Sequence, residues 1–363
     1  MEGLAITDKG AEFAVLAELG KGKAEDCAVT FKVKDELELC KFAYTTQASR
    51  RVLLLLGSFE FDSLDSLLAQ AKTLLPDYKW LKGPFRATCQ RLGEHTFSGR
   101  DVEEELGGII IDKYKFKVSL TAPKTVFYCF INESKAYFGI ELSGRDLSKR
   151  DYMVYAHPNS VRGDLAAALL KMAGYKPGML LLDPFSGDGA VVIEAAIMAS
   201  KRPVQFYSKD LAFTKLLKNK KEWDAWFKEM DGAQAEAKGI HAFDNMLRNV
   251  RHGKNNAKIA GVDKWIEFSK VAVGWLDTRF KHGEVEVIAT RLPGATQKVP
   301  EAKLKPIYDE FFYQARYVLG NGTLAALIPK KELFLEAGER HGFKLKEEKE
   351  IVTGEMKYFL LKL

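Results

Sequence analysis

The sequence predicts an α/β protein of two or three compact units, and three observations carry that expectation. Apolar runs at strand spacing alternate with stretches that repeat apolar residues at helical spacing along the whole 363-residue chain. Midway, Leu181 to Ala196 (LLDPFSGDGAVVIEAA) reads as a buried strand, a glycine turn and a helix start, the repeating unit of a doubly wound parallel sheet. Near the far end, strand-like segments at 343–351 and 356–361 flank Thr353 and Gly354 and read as an antiparallel pair.

Each element follows in order. Gly10 to Leu19 has helical apolar spacing, and Arg51 to Leu56 is a run of apolar residues suited to a buried strand. Leu64 to Leu75 returns to helical spacing behind Asp62 and Ser63, a plausible cap, and Pro76, Gly83 and Pro84 punctuate its end. A strand from Phe85 then leads to a helix capped by Ser98, followed by strands expected at 116–120, 126–132 and 136–142. Residues 148–163 read as a linker carrying His157 and Pro158, ahead of a helix at 164–173 and the glycine-turn unit.

Beyond that unit lies a stretch, 200–239, rich in lysine and aromatic residues, including Lys215, Lys218, Lys220, Lys221, Trp223 and Trp226. Two readings suit it: an amphipathic helix with buried tryptophans and solvated lysines, or an aromatic platform for nucleic-acid bases. Strands at 239–244, 285–290 and 322–328 alternate with helices around 247–260, 304–319 and 331–341.

Composition narrows the function classes. Hydrophobic residues are 47% and charged residues 29% of the chain, enough for a sizeable core. No apolar stretch approaches the ~18 residues that a membrane span needs, and the first ten residues lack the basic-then-apolar pattern of a secretory signal. Cys27, Cys40, Cys89 and Cys129 have no C-x-x-C spacing, which predicts neither a metal site nor a disulfide framework and fits a reducing cytoplasm. The net charge is +6, but residues 201–300 hold 19 Lys and Arg against 12 Asp and Glu. A surplus concentrated there suits an acidic polymer as partner, and equally a solvated lysine-rich helix face.

The glycine turn carries the most specific chemistry. Asp183 stands at the carboxyl end of its strand, Gly187 and Gly189 let backbone approach a ligand, and the next helix offers free N–H groups. That arrangement suits a small ligand with both an amine and a carboxylate, although a tight turn in any doubly wound sheet has the same spacing. Asp244, at the end of the next strand, is placed to accept ribose hydroxyls.

The residues around the turn resemble a known family. Asp183, Pro184, Phe185, Gly187 and Gly189 with Ile193 to Ala196 resemble the D-P-F-C-G-S-G-T-x-x-I-E-A-A motif of THUMP-domain RNA methyltransferases, with Ser186 at the cysteine position and Asp188 in place of the serine. Arg91, Gly93, His95, Phe97, Ser98 and Asp101 match the R-x-G-x-H-x-F-[ST]-[ST]-x-[DE] signature of the THUMP domain, and Gly139 to Tyr152 match its G-x-x-x-[ST]-G-x-x-L-x-K-R-x-Y exit. The resemblance runs from about residue 10 to the end of the chain. It implies an N-terminal ferredoxin-like domain (1–82), a THUMP RNA-binding domain (83–147), the linker (148–163) and a Rossmann-like class I methyltransferase domain (164–363) with a seven-stranded mixed sheet whose seventh strand is reversed.

By the same resemblance the cofactor is S-adenosylmethionine, held by residues 183–187, Gly189 and Asp244, and the partner is structured RNA, above all tRNA. A small activating protein subunit is a further partner the family allows. Arg91 and Arg100 are the candidate phosphate contacts, while His95 is expected to pack.

Two departures stand out. Where the family has an acid for the adenine amine, this chain has Val271, Ala272 and Val273; one lost hydrogen bond costs about 0.5–1.5 kcal/mol, enough to weaken cofactor binding about tenfold. Where guanine-N2 enzymes of the family carry [ND]-P-P-[YF], this chain has Arg291, Leu292, Pro293 and Gly294. Arginine has donors and no acceptor, and Gly294 offers no ring to stack on a base. Arg291 is therefore expected either to reach into the cleft, repelling a sulfonium and attracting phosphate, or to be an ordinary strand-end arginine. The sequence thus supports two functions: an S-adenosylmethionine-dependent RNA methyltransferase with a rebuilt catalytic loop, or a catalytically inactive RNA-binding relative acting as a chaperone or complex subunit, with cofactor binding weakened or lost.

Overall fold

The computed structural model describes residues 1–156, 160–294 and 300–363, so His157 and Pro158 fall outside the described residues. In chain order the elements are β1 (Glu2–Ile6), α1 (Glu12–Leu19), β2 (Lys23–Glu25), β3 (Ala28–Lys32), α2 (Glu36–Thr45), β4 (Arg51–Glu60), α3 (Leu64–Thr73), β5 (Phe85–Leu92), α4 (Gly99–Tyr114), β6 (Thr125–Asn132) and β7 (Lys135–Glu141). There follow α5 (Gly163–Ala173), β8 (Leu181–Asp183), α6 (Ala190–Ser200), α7 (Lys220–Asp231), β9 (Ile240–Asp244), α8 (Leu247–Ala260) and β10 (Ile266–Lys270). The chain continues with β11 (Val287–Arg291), α9 (Glu301–Leu319), β12 (Thr323–Ile328), α10 (Glu332–Arg340), β13 (Glu347–Thr353) and β14 (Met356–Lys362).

These elements form two units: residues 1–7, 19–147 and 203–232 in the first, and residues 8–18, 148–202 and 233–363 in the second. The first holds one seven-stranded sheet in the order β2-β3-β1-β4-β7-β6-β5. Its centre is β4, which pairs through Arg51–Leu55 with β1 on one side and through Leu53–Glu60 with β7 on the other, with a bulge between Leu55 and Gly57. A boundary at residue 82 therefore divides a single continuous sheet. Beneath that bulge, a Cβ on Gly57 would lie 2.6 Å from the Leu74 side chain, which would have to shift to admit it. Ser98 caps α4 in a reciprocal box with Asp101, and Val102, Leu106 and Ile110 face inward at four-residue spacing.

Two expectations change here. The strand expected at 116–120 is a single bridge between Val118 and Phe85, with Val118 and Leu120 exposed, because the segment meets β5 only at that strand's first residue. The lysine-rich stretch, expected within the methyltransferase domain, joins the first unit over residues 203–232. The reason is aromatic burial: Trp223 and Phe227 of α7 are 2% and 5% exposed and pack on Phe213, and Phe227 also meets the ring of Tyr44. The Tyr44 hydroxyl donates to Asp231 at 2.7 Å, and Phe213 N–H donates to the Leu142 carbonyl at 3.1 Å. A base-stacking role for Trp223 is excluded by that burial. Trp223→Ala is expected to cost about 3–5 kcal/mol, read as a lowered urea midpoint of the first unit; a loss below about 1 kcal/mol would contradict this packing.

The second unit contains a seven-stranded sheet in the order β10-β9-β8-β11-β12-β14-β13, parallel except where β14 inserts antiparallel between β12 and β13. That reversed strand is the one anticipated from residues 343–361. On one face the core joins Leu182, Phe243, Ile288 and Leu324 of the sheet to Phe311, Phe312 and Val318 of α9 and Phe334 of α10. α5 and α6 are buried almost throughout, as their alanine-rich sequences allow. Residues 8–18 complete this unit: Lys9 bridges Val352 of β13, and Gly10 sits so close that a Cβ would lie 1.9 Å from the Glu350 carbonyl.

Between α5 and α6 lies a buried ion pair. Arg150 Nε donates to Glu194 at 2.7 Å and the Tyr152 hydroxyl donates to the same carboxylate at 2.7 Å. The K-R-x-Y and I-E-A-A segments, 42 residues apart at Tyr152 and Glu194, thus meet at one point. Burial works against the Arg150 charge, but the Glu194 carboxylate outweighs it and holds the guanidinium charged more firmly than usual.

Candidate active site

The site lies at the carboxyl ends of β8, β9 and β11, where a parallel sheet opens a crevice. β8 is central: it pairs with β9 on one side and β11 on the other, so Asp183, Asp244 and Arg291 end three neighbouring strands. A cavity of about 460 Å³ opens there, lined by Asp183 to Asp188, Ala190 and Val191, Asp244 to Met246, Asn249, Ala272, Val273, Arg291 and Pro293 among others.

The turn is built by backbone. Ser186 N–H donates to the Phe243 carbonyl at 2.9 Å and Gly189 N–H to the Ser186 carbonyl at 2.7 Å, folding the loop back over β9. Gly187 and Gly189 take φ of 53° and 84°, the left-handed region that suits glycine. At Gly189 space is also limiting, since a Cβ would meet Gly253 of α8 at 3.1 Å. Gly189 itself stands behind the cavity wall, where it starts α6 and aims that helix's first N–H groups at the crevice.

Asp183 is buried, and its carboxylate accepts from the Thr290 hydroxyl at 2.6 Å and from Phe185 N–H at 3.2 Å. Burial pushes its pKa up to about 7 against those two bonds, helped by the Asp244 and Asp188 carboxylates. The fixed anion expected at this strand end is thus a carboxyl that titrates near neutrality. Asp244 is held by three donors: Met246 N–H at 2.8 Å, Gly187 N–H at 3.1 Å and the Asn249 amide at 3.1 Å. The Ser186 hydroxyl is buried in the wall with no hydrogen-bond partner among the described residues.

These residues fit the cofactor that the motif implies. An amine fits beside Asp183, a carboxylate against the turn and the start of α6, ribose hydroxyls at Asp244, and the unpartnered Ser186 hydroxyl leaves one polar group for a ligand to satisfy. Ala272, Val273 and Met246 also line the cavity, whose acidic lining residues are Asp183, Asp188 and Asp244.

The Arg291–Gly294 segment divides. Arg291 lines the cavity with its guanidinium 5.8 Å from the centre of the Tyr358 ring, so it is a wall residue stacked toward an aromatic. Pro293 lines the cavity too, and its carbonyl accepts from the Tyr308 hydroxyl at 2.6 Å. Leu292 turns into the core and is fully buried. Gly294 packs on Pro329, where a Cβ would lie 2.6 Å from the proline ring, so an aromatic residue there needs the loop to move.

Thr290, Asn249 and Asn256 hold Asp183, Asp244 and the turn in place, and the motifs do not flag them. Asn249 and Asn256 recur at seven residues on the buried face of α8, and two asparagines on an inward face were the available signal. Asn256 donates to the Asp188 carbonyl at 3.0 Å and brackets the Tyr155 backbone, donating to its carbonyl at 3.1 Å and accepting from its N–H at 2.9 Å.

In the first unit, Arg91 Nη1 lies 3.1 Å from His95 Nδ1, whose ring stacks between Phe61 and Phe97, so His95 packs as expected. Arg100 is exposed and pairs with Glu104 one helical turn on at 2.9 Å. Among the described residues no three His, Cys, Asp or Glu side chains are grouped to hold a metal, and no helix is long and apolar enough to cross a membrane.

Comparison with known proteins agrees with this geometry. A THUMP domain model matches residues 61–141, and the RMKL-like methyltransferase domain model matches residues 150–358. A tRNA (guanine(6)-N2)-methyltransferase of Archaeoglobus fulgidus is 28% identical over 314 residues, 84% of this chain and 75% of that protein. The protein of the same name from Methanocaldococcus jannaschii is 26% identical over 332 residues, covering 86% and 85%. SMU.472, crystallised as a complex with SAH, shares the fold with a TM-score of 0.80 at 18% identity over 100% of this chain and 97% of that one. With its model spanning more than half of the residues and the strand-end acids gathered at one cavity, the chain belongs to the RMKL-like methyltransferase family and carries a THUMP domain.

Proposed function

We propose that the protein is an S-adenosylmethionine-dependent RNA methyltransferase acting on structured RNA, with a guanine of tRNA as the first substrate to try. The observation that carries this reading is the single cavity bounded by Asp183, Asp244 and the Gly187 turn. When bound, the cofactor supplies an electrophilic methyl group. The chain's own part is to orient it: Asp183 faces the amine, the start of α6 the carboxylate, Asp244 the ribose and Ala272 with Val273 the adenine ring. RNA as substrate is supported by the THUMP domain and by the two relatives named as tRNA (guanine(6)-N2)-methyltransferases. Arg91 and Arg100 are offered as phosphate contacts of the THUMP domain, residues 1–82 and 83–147 as the chain's ferredoxin-like and RNA-binding parts built on one shared sheet, and residues 164–363 without the 203–232 segment as its catalytic part.

A guanine amine reacts only when its lone pair is aligned by acceptors. Arg291 accepts nothing, so the aligning group in this reading is a backbone carbonyl of the 291–294 segment. The same arginine favours a second reading, an RNA-binding member of the family that transfers no methyl group. One experiment separates them. Calorimetry first establishes cofactor binding; RNA is then incubated with the protein and methyl-labelled S-adenosylmethionine, and its nucleosides are resolved by mass. Label in a methylguanosine is the expected result, whereas cofactor and RNA binding with no labelled nucleoside in any RNA pool selects the second reading.

A further inference from the structure

α8 carries an unusual charge pattern for a surface helix. It contains no acidic residue, and its cations Arg248, Arg251, Lys254 and Lys258 are all exposed. At 100° per residue these four fall within about a third of the helix circumference and extend about 15 Å along it. Two surface cations elsewhere are paired within their own helix, Arg340 with Glu336 and Arg100 with Glu104. None of the four on α8 makes an ion pair among the described residues.

The position of this ridge matters as much as its charge. Met246 and Asn249, at the start of α8, line the cavity, so the ridge begins at the mouth of the site. Beside it stands Tyr155, 40% exposed, with its ring 5.6 Å from that of His252. Its backbone is pinned to α8 by Asn256, the residue that also holds the Asp188 carbonyl of the turn. A row of unpaired cations with an aromatic ring alongside is the surface that suits a polyanion with stackable bases.

We propose that the exposed face of α8, with Tyr155, is an RNA-backbone contact surface of the second unit, separate from the THUMP domain, that leads the strand to the cavity. This rests on RNA being the substrate. Cations that displace condensed counterions steepen the salt dependence of binding, by about 0.9 in the slope of log K against log salt for each phosphate on a duplex.

The test is the binding of bulk tRNA by the full-length protein, measured by fluorescence anisotropy between about 50 and about 200 mM salt. Substituting Arg248, Arg251, Lys254 and Lys258 together by glutamine is expected to make the slope shallower by about 3.6. Tyr155→Ala is expected to weaken binding about tenfold with the slope unchanged. Independently of either variant, tRNA is expected to protect Lys254 and Lys258 of the wild type from acetylation at least about fivefold more than Lys344. Wild-type binding with an unaltered slope in the glutamine variant, or with no protection of those lysines, overturns this inference and leaves the RNA substrate standing. A wild type that binds no RNA even at low salt overturns both.

Discussion

Glu194→Ala is expected to destabilise the second unit by about 3–5 kcal/mol, as a fall in the urea midpoint. The carboxylate is fully buried on α6 and is the partner of Arg150, whose side chain is 2% exposed, and of the Tyr152 hydroxyl. Removing it leaves a guanidinium in the interior with its counter-charge gone and a phenol with its acceptor gone, and neither can turn to water. Nor can the structure close over the gap: a Cβ on Gly163 would already lie 2.3 Å from Arg150 Nε and 2.6 Å from Glu194. The paired substitution Arg150→Met with Glu194→Leu is expected to recover more than half of that loss, because it removes both charges. An unfolding free energy for Glu194→Ala within about 1 kcal/mol of wild type would mean the ion pair contributes little.

Cofactor binding is expected to weaken about tenfold for each pH unit below 7. The Asp183 carboxyl, raised to about 7 chiefly by burial, is largely protonated below that pH, and a cationic amine beside it requires the ionised form. Binding therefore expels a proton at pH 6 and few at pH 8, and affinity falls again once the ligand's own amine, with a pKa of about 8, loses its proton. Asp183→Asn is expected to lose about ten- to a hundredfold in affinity at pH 7.5 and to lack the acid limb of the profile. Stability runs the opposite way. A folded-state pKa above the unfolded value favours the fold most below about pH 4 and less as pH rises toward 7, so Asp183→Asn gains on wild type at pH 8. Calorimetry in buffers of different ionisation heat measures the proton release; identical acid limbs for wild type and variant would take Asp183 out of the amine site.

Much of the fold can be read from pattern. The run at Arg51–Leu56 and the reversed pair near Thr353 are legible because apolar alternation and turn chemistry are local properties. The strand-end acids are legible because a parallel sheet puts them at one edge. Residues 203–232 are different: helical spacing in α7 says that Trp223 and Phe227 are inside, but not that Phe213 and Tyr44 are what they lie against. The Arg150–Glu194 pair is invisible for a similar reason, since charges in sequence read as surface until a partner from another element is found. Arg291 was legible as a donor in place of an acceptor; its stacking toward Tyr358 depends on the closing hairpin, which approaches it only in the folded sheet.

The order in which the chain visits its two units has a consequence for synthesis. Residues 203–232, which finish the first unit's core around Tyr44, are made only after the second unit's β8 and glycine turn. A nascent chain halted anywhere between about residue 150 and residue 230 therefore displays the Tyr44 face without its cover, and the amino-terminal unit cannot complete its folding ahead of the rest in the manner usual for domains emerging from the ribosome.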